Sequence, residues 1–190
     1  MKTALFVLLL LLPLATSSVY ADDKAIERIR VYYGDVAAKA KACEADDDQG
    51  EFGELVMNTL TVNSRRHQWR AVGIYGQTYK FFYKGGDSED HLYPDQLVFV
   101  KVERKESNRT YTEEYLYSGA GVLTFYSQKA ENDDQLPVER RVYFSGAKAI
   151  RVVEDAKSRD RMTVKDAATT KAVTAASVKI KDLFLRSIKL

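Results

Sequence analysis

The chain has 190 residues, of which 45% are hydrophobic and 11% aromatic, and a formal net charge of +2 at pH 7. That length suits one domain with a sizeable core, and the near-neutral balance gives no general reason to expect nucleic acid or an anionic membrane as partner. The single cysteine, Cys43, excludes an internal disulfide, so the thiol is either buried or unreactive, or it forms an intermolecular bridge.

Residues 1–21 have the pattern of a secretory signal peptide. Lys2 forms a short positive region, Ala4 to Leu12 are apolar, and Val19-Tyr20-Ala21 fits a cleavage site before Asp22. The apolar run falls short of the ~20 residues of a permanent span, although an N-terminal anchor helix is the alternative. Removing 21 of 190 residues leaves 169 and lowers the net charge to +1, because Lys2 is the only charge removed. We expect a periplasmic or secreted protein with no transmembrane segment after signal removal.

Two helices are predicted, one near each end of the remaining chain. Over residues 22–45, apolar side chains such as Ile26 and Ile29 recur at three- and four-residue steps, which indicates one helical face. A charged linker over 154–162 precedes a second helix over 163–188, whose start resembles a capping box because Asp166 follows Thr163 by three residues. This helix either packs its alanine-rich face on the protein or lies on a membrane through its basic face.

Between the helices, residues 54–153 predict an antiparallel meander of about eight strands. Two copies of a Ser-Gly-Ala turn, at Ser118 and Ser145, are each flanked by apolar and aromatic residues, which is typical of paired hairpins. Another hairpin is predicted around Tyr75-Gly76-Gln77. The predicted fold class is therefore α+β, in a single domain over 22–190.

No catalytic or metal-binding motif stands out. The two histidines, His67 and His91, lie outside any zinc motif, and the glycines form no phosphate-binding loop. The acidic runs at 46–51 and 87–90 lack the alternating oxygen spacing of a calcium loop. We accordingly predict no catalytic residue, no metal site and no cofactor.

One basic and aromatic cluster is unusual. The segment Arg65-Arg66-His67-Gln68-Trp69-Arg70 holds the only tryptophan of the chain, and Tyr75 follows five residues later. Tryptophan and arginine are the residues that most often anchor interfaces. Either Trp69 points into the core while the arginines face water, or the cluster binds an anionic group. The predicted ligand-binding residues are Arg66, His67, Trp69, Arg70 and Tyr75.

Several stretches carry a resemblance. The segments Trp69 to Tyr75, Lys80 to Tyr83 and Glu139 to Phe144 resemble exported, β-rich proteins of Bacteroidetes-type Gram-negative bacteria that have no characterised activity. The resemblance spans roughly residues 55–153, and it implies a β-meander after a signal peptide, without a known activity. The paired Ser-Gly-Ala hairpins also look like the tandem hairpins of MORN or YwqK-type repeats, although only two copies occur here, at a longer spacing.

Two functions are compatible with these patterns. The first is an exported, non-enzymatic binding or accessory protein of the cell envelope, whose partner is a protein, a glycan or another envelope component and is not a nucleic acid. In this hypothesis the tyrosines Tyr115, Tyr117 and Tyr143 are exposed contact residues on the sheet. The alternative is a small periplasmic hydrolase in which His67 or His91 works with carboxylates in a cleft. A lipid carrier is a third possibility and requires a large apolar cavity.

Overall fold

The protein combines one antiparallel sheet with two helices in this computed structural model, which describes residues 17–45, 55–71, 73–86, 89 and 92–188. The helices are α1 (Ser17–Ala45) and α2 (Val164–Ile188). The strands are β1 (Val56–Val62), β2 (Gln68–Trp69), β3 (Gly73–Gly85), β4 (Pro94–Glu106), β5 (Arg109–Tyr117), β6 (Leu123–Glu131), β7 (Glu139–Ser145), β8 (Lys148–Glu154) and β9 (Lys157–Arg159).

The α+β class and the meander are confirmed. The strands follow the order β1-β3-β4-β5-β6-β7-β8-β9, and β2 pairs with β3 outside this path. The sheet has nine strands where the sequence predicted about eight, because the short strand β9 was not predicted. It lies inside the segment 154–162 that was predicted to be a linker, and it pairs with β8 from Val152 to Glu154.

The Ser-Gly-Ala hairpins are confirmed as β5–β6 and β7–β8. In the first turn, the Ser118 amide donates to the Val122 carbonyl over 2.8 Å, and Gly121 takes a φ of +69°. The second turn uses Gly146 at a φ of +58°. Both turns need a left-handed residue, which glycine supplies without steric cost, but only in the second turn is it the glycine of the Ser-Gly-Ala motif.

The predicted hairpin around Tyr75-Gly76-Gln77 is wrong, because β3 continues through it. Gln77 pairs with Val62 of β1 on one side and with Arg104 of β4 on the other, so the backbone is held in two ladders. The chain instead reverses between β2 and β3, where Gly73 has a φ of +78°. A tight reversal needs such a residue, and glycine adopts it without steric cost.

The sheet is buried on both faces, one under each helix. On one face, Ile26, Val36 and Ala40 of α1 pack with sheet residues such as Phe82 and Phe99. On the other, α2 inserts three side chains, Val173, Ile180 and Phe184, among strand residues such as Phe81 and Tyr83. Burying a phenylalanine of this kind contributes roughly 1.5–3 kcal/mol. The C-terminal helix therefore packs on the sheet, and this excludes the membrane-lying alternative for its apolar face.

This burial overturns the expectation that three tyrosines form a contact surface. Tyr115, Tyr117 and Tyr143 are each only 2% exposed. The hydroxyl of Tyr117 donates to the Ser177 carbonyl of α2 over 3.0 Å, and that of Tyr115 donates to Glu113 over 2.6 Å. Because strand side chains alternate, the sequence placed each tyrosine on one face of the sheet. A helix covers each of the two faces, so the tyrosines are buried.

A chain of alternating arginines and carboxylates fixes the beginning of α2. Arg140 donates to Glu154 at 2.6 Å, Arg159 donates to Glu154 at 2.6 Å, and Arg159 also donates to Asp166 at 2.8 Å. Asp166 accepts from the Thr163 amide at 2.9 Å while its own amide donates to the Thr163 hydroxyl at 3.1 Å, which confirms the predicted capping box. We call Arg140, Glu154, Arg159 and Asp166 the arginine–carboxylate chain.

The N-terminal helix is longer than predicted, because α1 begins at Ser17 and continues past the expected cleavage point before Asp22. Asp23 accepts a hydrogen bond from Arg151 over 2.8 Å, so the sheet holds the helix just after that point. The acidic run 46–51, His91, most of the run 87–90 and the signal segment before residue 17 lie outside the described residues. Within those residues, neither helix is long and apolar enough to cross a membrane.

Candidate functional site

The predicted binding residues all lie in one exposed hairpin and the turns beside it. We call residues 63–76, which comprise β2, its flanking turns and the start of β3, the basic arm. Asn63 organises it: its side-chain amide donates to the carbonyls of His67 at 2.8 Å and Tyr75 at 2.5 Å, and its side-chain oxygen accepts from the His67 amide at 3.0 Å. One side chain thus joins both strands of the arm.

Trp69 and Tyr75 form an aromatic pair on one face of the arm. Their ring centroids are 4.6 Å apart with an interplanar angle of 31°, and the Tyr75 hydroxyl donates to Gln77 over 2.6 Å. Trp69 is 44% exposed. The interpretation that placed this ring in the core is therefore wrong, because β2 lies beyond the cover of both helices.

An isoleucine occupies the opposite face. Ile74 is paired with Gln68, whereas Trp69 is paired with Gly73, so Ile74 points away from the aromatic pair. It is 42% exposed. The sequence does not distinguish Ile74 as a surface residue, because an isoleucine in a strand is ordinarily assigned to the core.

The arginines of the arm lack internal partners. Arg65, Arg66 and Arg70 are exposed, and none of their guanidinium groups forms an ion pair or hydrogen bond within the described part of the chain. Arg66 forms a hydrogen bond only through its backbone amide, which donates to the Asn63 carbonyl at 2.8 Å in a turn with φ of +54°. Its side chain lines a small cavity that Glu103 also lines. Nearby Glu106 is already bound to Arg104.

The local charge differs sharply from that of the whole chain. Residues 55–86 hold five basic residues and no acidic residue, whereas the complete chain carries a net charge of only +2. The basic residues are Arg65, Arg66, Arg70, Lys80 and Lys84. Only Arg65, Arg66 and Arg70 belong to the arm, because Lys80, which binds Glu44 of α1 at 3.0 Å, and Lys84 lie further along β3.

His67 also lies on the arm but takes little part in its contacts. It is exposed, and only its backbone groups are bonded, to Asn63. The structure therefore brings Trp69 and Tyr75 into direct contact and places His67 and Arg70 on the same hairpin. The side chain of Arg66 lies next to Gly76, on the opposite face of β3 from Tyr75.

A second concave feature, which sequence analysis missed, lies on the α1 face of the sheet. This polar groove has a volume of about 520 Å³. Glu114 is its central acceptor, taking hydrogen bonds from the Tyr33 hydroxyl at 2.6 Å and the Ser127 hydroxyl at 2.8 Å. Its remaining lining residues are Arg30, Lys101, Glu103, Thr112, Phe125, Lys129, Glu139, Arg141 and Tyr143.

Charges in the groove are mostly satisfied within the protein. Arg141 binds Glu139 through two hydrogen bonds of 3.0 and 2.6 Å, and Lys101 lies 3.6 Å from Glu103. Burial and the hydrogen bond to Glu114 raise the pKa of Tyr33, so this phenol stays protonated and acts as a donor. These contacts connect α1 to the sheet and give the groove a structural role.

The described residues contain no group of three or more histidine, cysteine, aspartate and glutamate side chains placed to hold a metal ion. Comparisons of this chain with models of protein families, with curated proteins and with solved structures return no match.

Proposed function

We propose that this chain is an exported, non-enzymatic binding or accessory protein of the cell envelope, which holds an anionic partner through the basic arm. The observation that carries this proposal is the set of exposed guanidinium groups on Arg65, Arg66 and Arg70, which no carboxylate among the described residues neutralises. Beside them, Trp69 and Tyr75 supply a large amphipathic surface.

Physical chemistry favours this region over the rest of the surface. Like charges on one short hairpin repel one another, and an anionic partner relieves that repulsion. Arginine also forms planar, paired hydrogen bonds with phosphates and carboxylates, while tryptophan contributes apolar contact area. A site of this composition binds and positions a partner, and it contains no nucleophile with a base.

Export rests on the predicted signal peptide. The first residues after the expected cleavage point are compatible with removal of that segment, because Asp23, which binds Arg151, lies on the retained side. The expected product begins at Asp22, and mass spectrometry of the protein recovered from outside the cytoplasm measures this directly. A product that retains residues 1–21 contradicts export by this route.

The hydrolase alternative has less support. It requires a histidine that faces carboxylates in a cleft, and His67 instead lies exposed on the arm, where its imidazole makes no hydrogen bond to any described residue. The groove has carboxylates, but Glu114 and Glu139 there are bonded to Tyr33 and Arg141. A protein whose partner is recognised by charge and aromatic contact fits these positions better.

Chromatography on immobilised heparin, which is a polyanion, tests the binding proposal. We compare the natural chain with a triple variant, Arg65→Gln, Arg66→Gln and Arg70→Gln. The matched control removes three exposed lysines of α2, by Lys165→Gln, Lys171→Gln and Lys179→Gln, and changes the net charge equally. The arm variant is expected to elute at lower salt than the control. Equal elution of the two triple variants overturns the proposal.

A further inference from the structure

We infer that the partner of the basic arm is the surface of an anionic phospholipid bilayer, onto which residues 65–75, the tip of the arm, dock. This inference rests on the proposed function and names its partner class. The net charge of the whole chain gave no reason to expect a membrane, but the charge is unevenly distributed, because the arm lies within the acid-free run 55–86. A peripheral contact depends on this local charge.

The distribution of apolar side chains favours a bilayer over a flat macromolecular partner. Trp69 and Tyr75 lie on one face of the hairpin, and Ile74 is exposed on the other. A protein surface or a glycan chain lying against the arm covers one face and leaves the other in water. The interfacial zone of a bilayer surrounds an inserted tip, so it removes both apolar faces from water together.

The residue types at the tip match that zone. Tryptophan and tyrosine rings are enriched where acyl chains meet headgroups, and arginine extends its charged end toward lipid phosphates while its aliphatic part stays in apolar surroundings. Arg70 directly follows Trp69, and Arg65 and Arg66 lie in the turn before β2. Aromatic and cationic groups thus occupy the same end of the molecule.

The arm is held in a defined shape. Asn63 links its two strands. The Ser107 amide donates to the Ile74 carbonyl over 2.7 Å, next to the residue pair at which the pairing of β3 with β4 ends. The aromatic pair adds a further contact across the hairpin. A preformed tip loses little conformational freedom on docking, which favours binding by few residues.

Trp69 makes the test direct, because it is the only tryptophan of the chain. We titrate the protein recovered after export, with its N-terminus established by mass spectrometry, with vesicles of equal parts phosphatidylglycerol and phosphatidylcholine. Parallel titrations use phosphatidylcholine alone and soluble heparin. The signal is the emission maximum of Trp69, which moves to shorter wavelength when the indole leaves water, and vesicle co-sedimentation gives the partition coefficient.

Each arginine near an anionic surface strengthens partitioning by about fivefold, so the triple arginine variant is expected to partition about 100-fold more weakly. The α2 triple lysine control is expected to change partitioning by less than about threefold, because those side chains lie away from the arm. Ile74→Ser is expected to weaken partitioning about tenfold, and Tyr93→Ser, which changes an exposed residue near the start of β4, is expected to leave it unchanged.

Each outcome decides between the partners. A Trp69 shift with anionic vesicles that the arginine variant abolishes supports docking to lipid. A response to heparin without one to vesicles overturns the lipid inference and retains the proposed function with a soluble polyanion, such as an acidic glycan, as partner. No arm-dependent response to either probe overturns both. Equal partitioning of the natural chain and Ile74→Ser also overturns the two-faced insertion of the tip.

Discussion

Arginine side chains have opposite environments in two regions of this molecule. In the arginine–carboxylate chain, Arg140 and Arg159 share Glu154, and Arg159 continues to Asp166. In the basic arm, Arg65, Arg66 and Arg70 face water without a carboxylate partner among the described residues. The same side chain therefore stabilises the fold in one place and leaves a charge for an external partner in the other.

The difference lies in burial as well as in pairing. Arg140 is only 6% exposed, and a guanidinium at that depth requires its carboxylate because an unpaired buried charge is strongly destabilising. The arm's arginines retain their hydration and need no such partner. Mutations should therefore separate the two regions. Those in the arginine–carboxylate chain should lower stability, and those in the basic arm should weaken binding.

The largest stability effect is expected from Asp166→Ala. The change removes the acceptor of Arg159 and of the Thr163 amide and hydroxyl at the beginning of α2, and it is expected to lower the free energy of unfolding by about 3 kcal/mol. Urea unfolding followed by circular dichroism measures it. The control is Asp182→Ala on the same helix, whose exposed pair with Arg186 predicts a loss of about 0.5 kcal/mol. Equal losses of unfolding free energy in the two variants would contradict a special structural role of the arginine–carboxylate chain.

The same carboxylate predicts a pH dependence. Hydrogen bonds from Arg159 lower the pKa of Asp166 to about 2, although burial acts in the opposite direction. Burial also tends to raise the pKa of Glu154, but hydrogen bonds from Arg159 and Arg140 lower it overall. A carboxyl with a depressed folded-state pKa contributes stability above its unfolded value near 4, and this contribution is lost as the pH falls toward 2.

Urea titrations between pH 6 and pH 2 measure that loss. The natural chain should lose stability steadily below about pH 4, and Asp166→Ala should show a shallower decline over the same interval because one linked proton is missing. Parallel curves for the two proteins would show that Asp166 is not responsible.

A smaller effect is expected at the reversal of the arm. Gly73 has a φ of +78°, and an added Cβ lies 3.2 Å from the Ser107 hydroxyl oxygen, so Gly73→Ala is expected to cost about 1–2 kcal/mol. The control is Gly34→Ala in α1, where an added Cβ meets nothing within 4 Å and alanine favours the helix by about 1 kcal/mol. The two variants should therefore shift the urea midpoint in opposite directions. A shift of the same sign in both contradicts the strained reversal.

Local patterns determined how much of the fold was predictable. Ser118 and Ser145 each begin a turn that contains a left-handed glycine, and Thr163 with Asp166 caps α2, so these features follow from a few neighbouring residues. The false hairpin at Gly76 arose because a glycine between apolar runs also occurs inside strands. Only the ladders to β1 and β4 decide between the two, and these join distant parts of the chain.

The residues of the candidate site could be predicted from the sequence, but the burial of side chains could not. Strand alternation gives the face on which Trp69 or Tyr115 lies, but burial depends on which helix covers that face. Trp69 lies outside this cover and Tyr115 under it. The polar groove depends on Tyr33 meeting Glu114, which are 81 residues apart in sequence, so no local pattern indicates it.

The smallest stability effect is expected where binding changes most. The triple variant Arg65→Gln, Arg66→Gln, Arg70→Gln should change the free energy of unfolding by at most about 0.5 kcal/mol, because the side chains are exposed and make no ion pair with described residues. Removing three like charges relieves repulsion within the arm, so any change should be slightly stabilising, and it should shrink as salt screens the charges. Urea unfolding at low and high salt measures both properties. A loss comparable to that of Asp166→Ala would mean that the arm's arginines support the fold, and the contrast with the arginine–carboxylate chain would then be wrong.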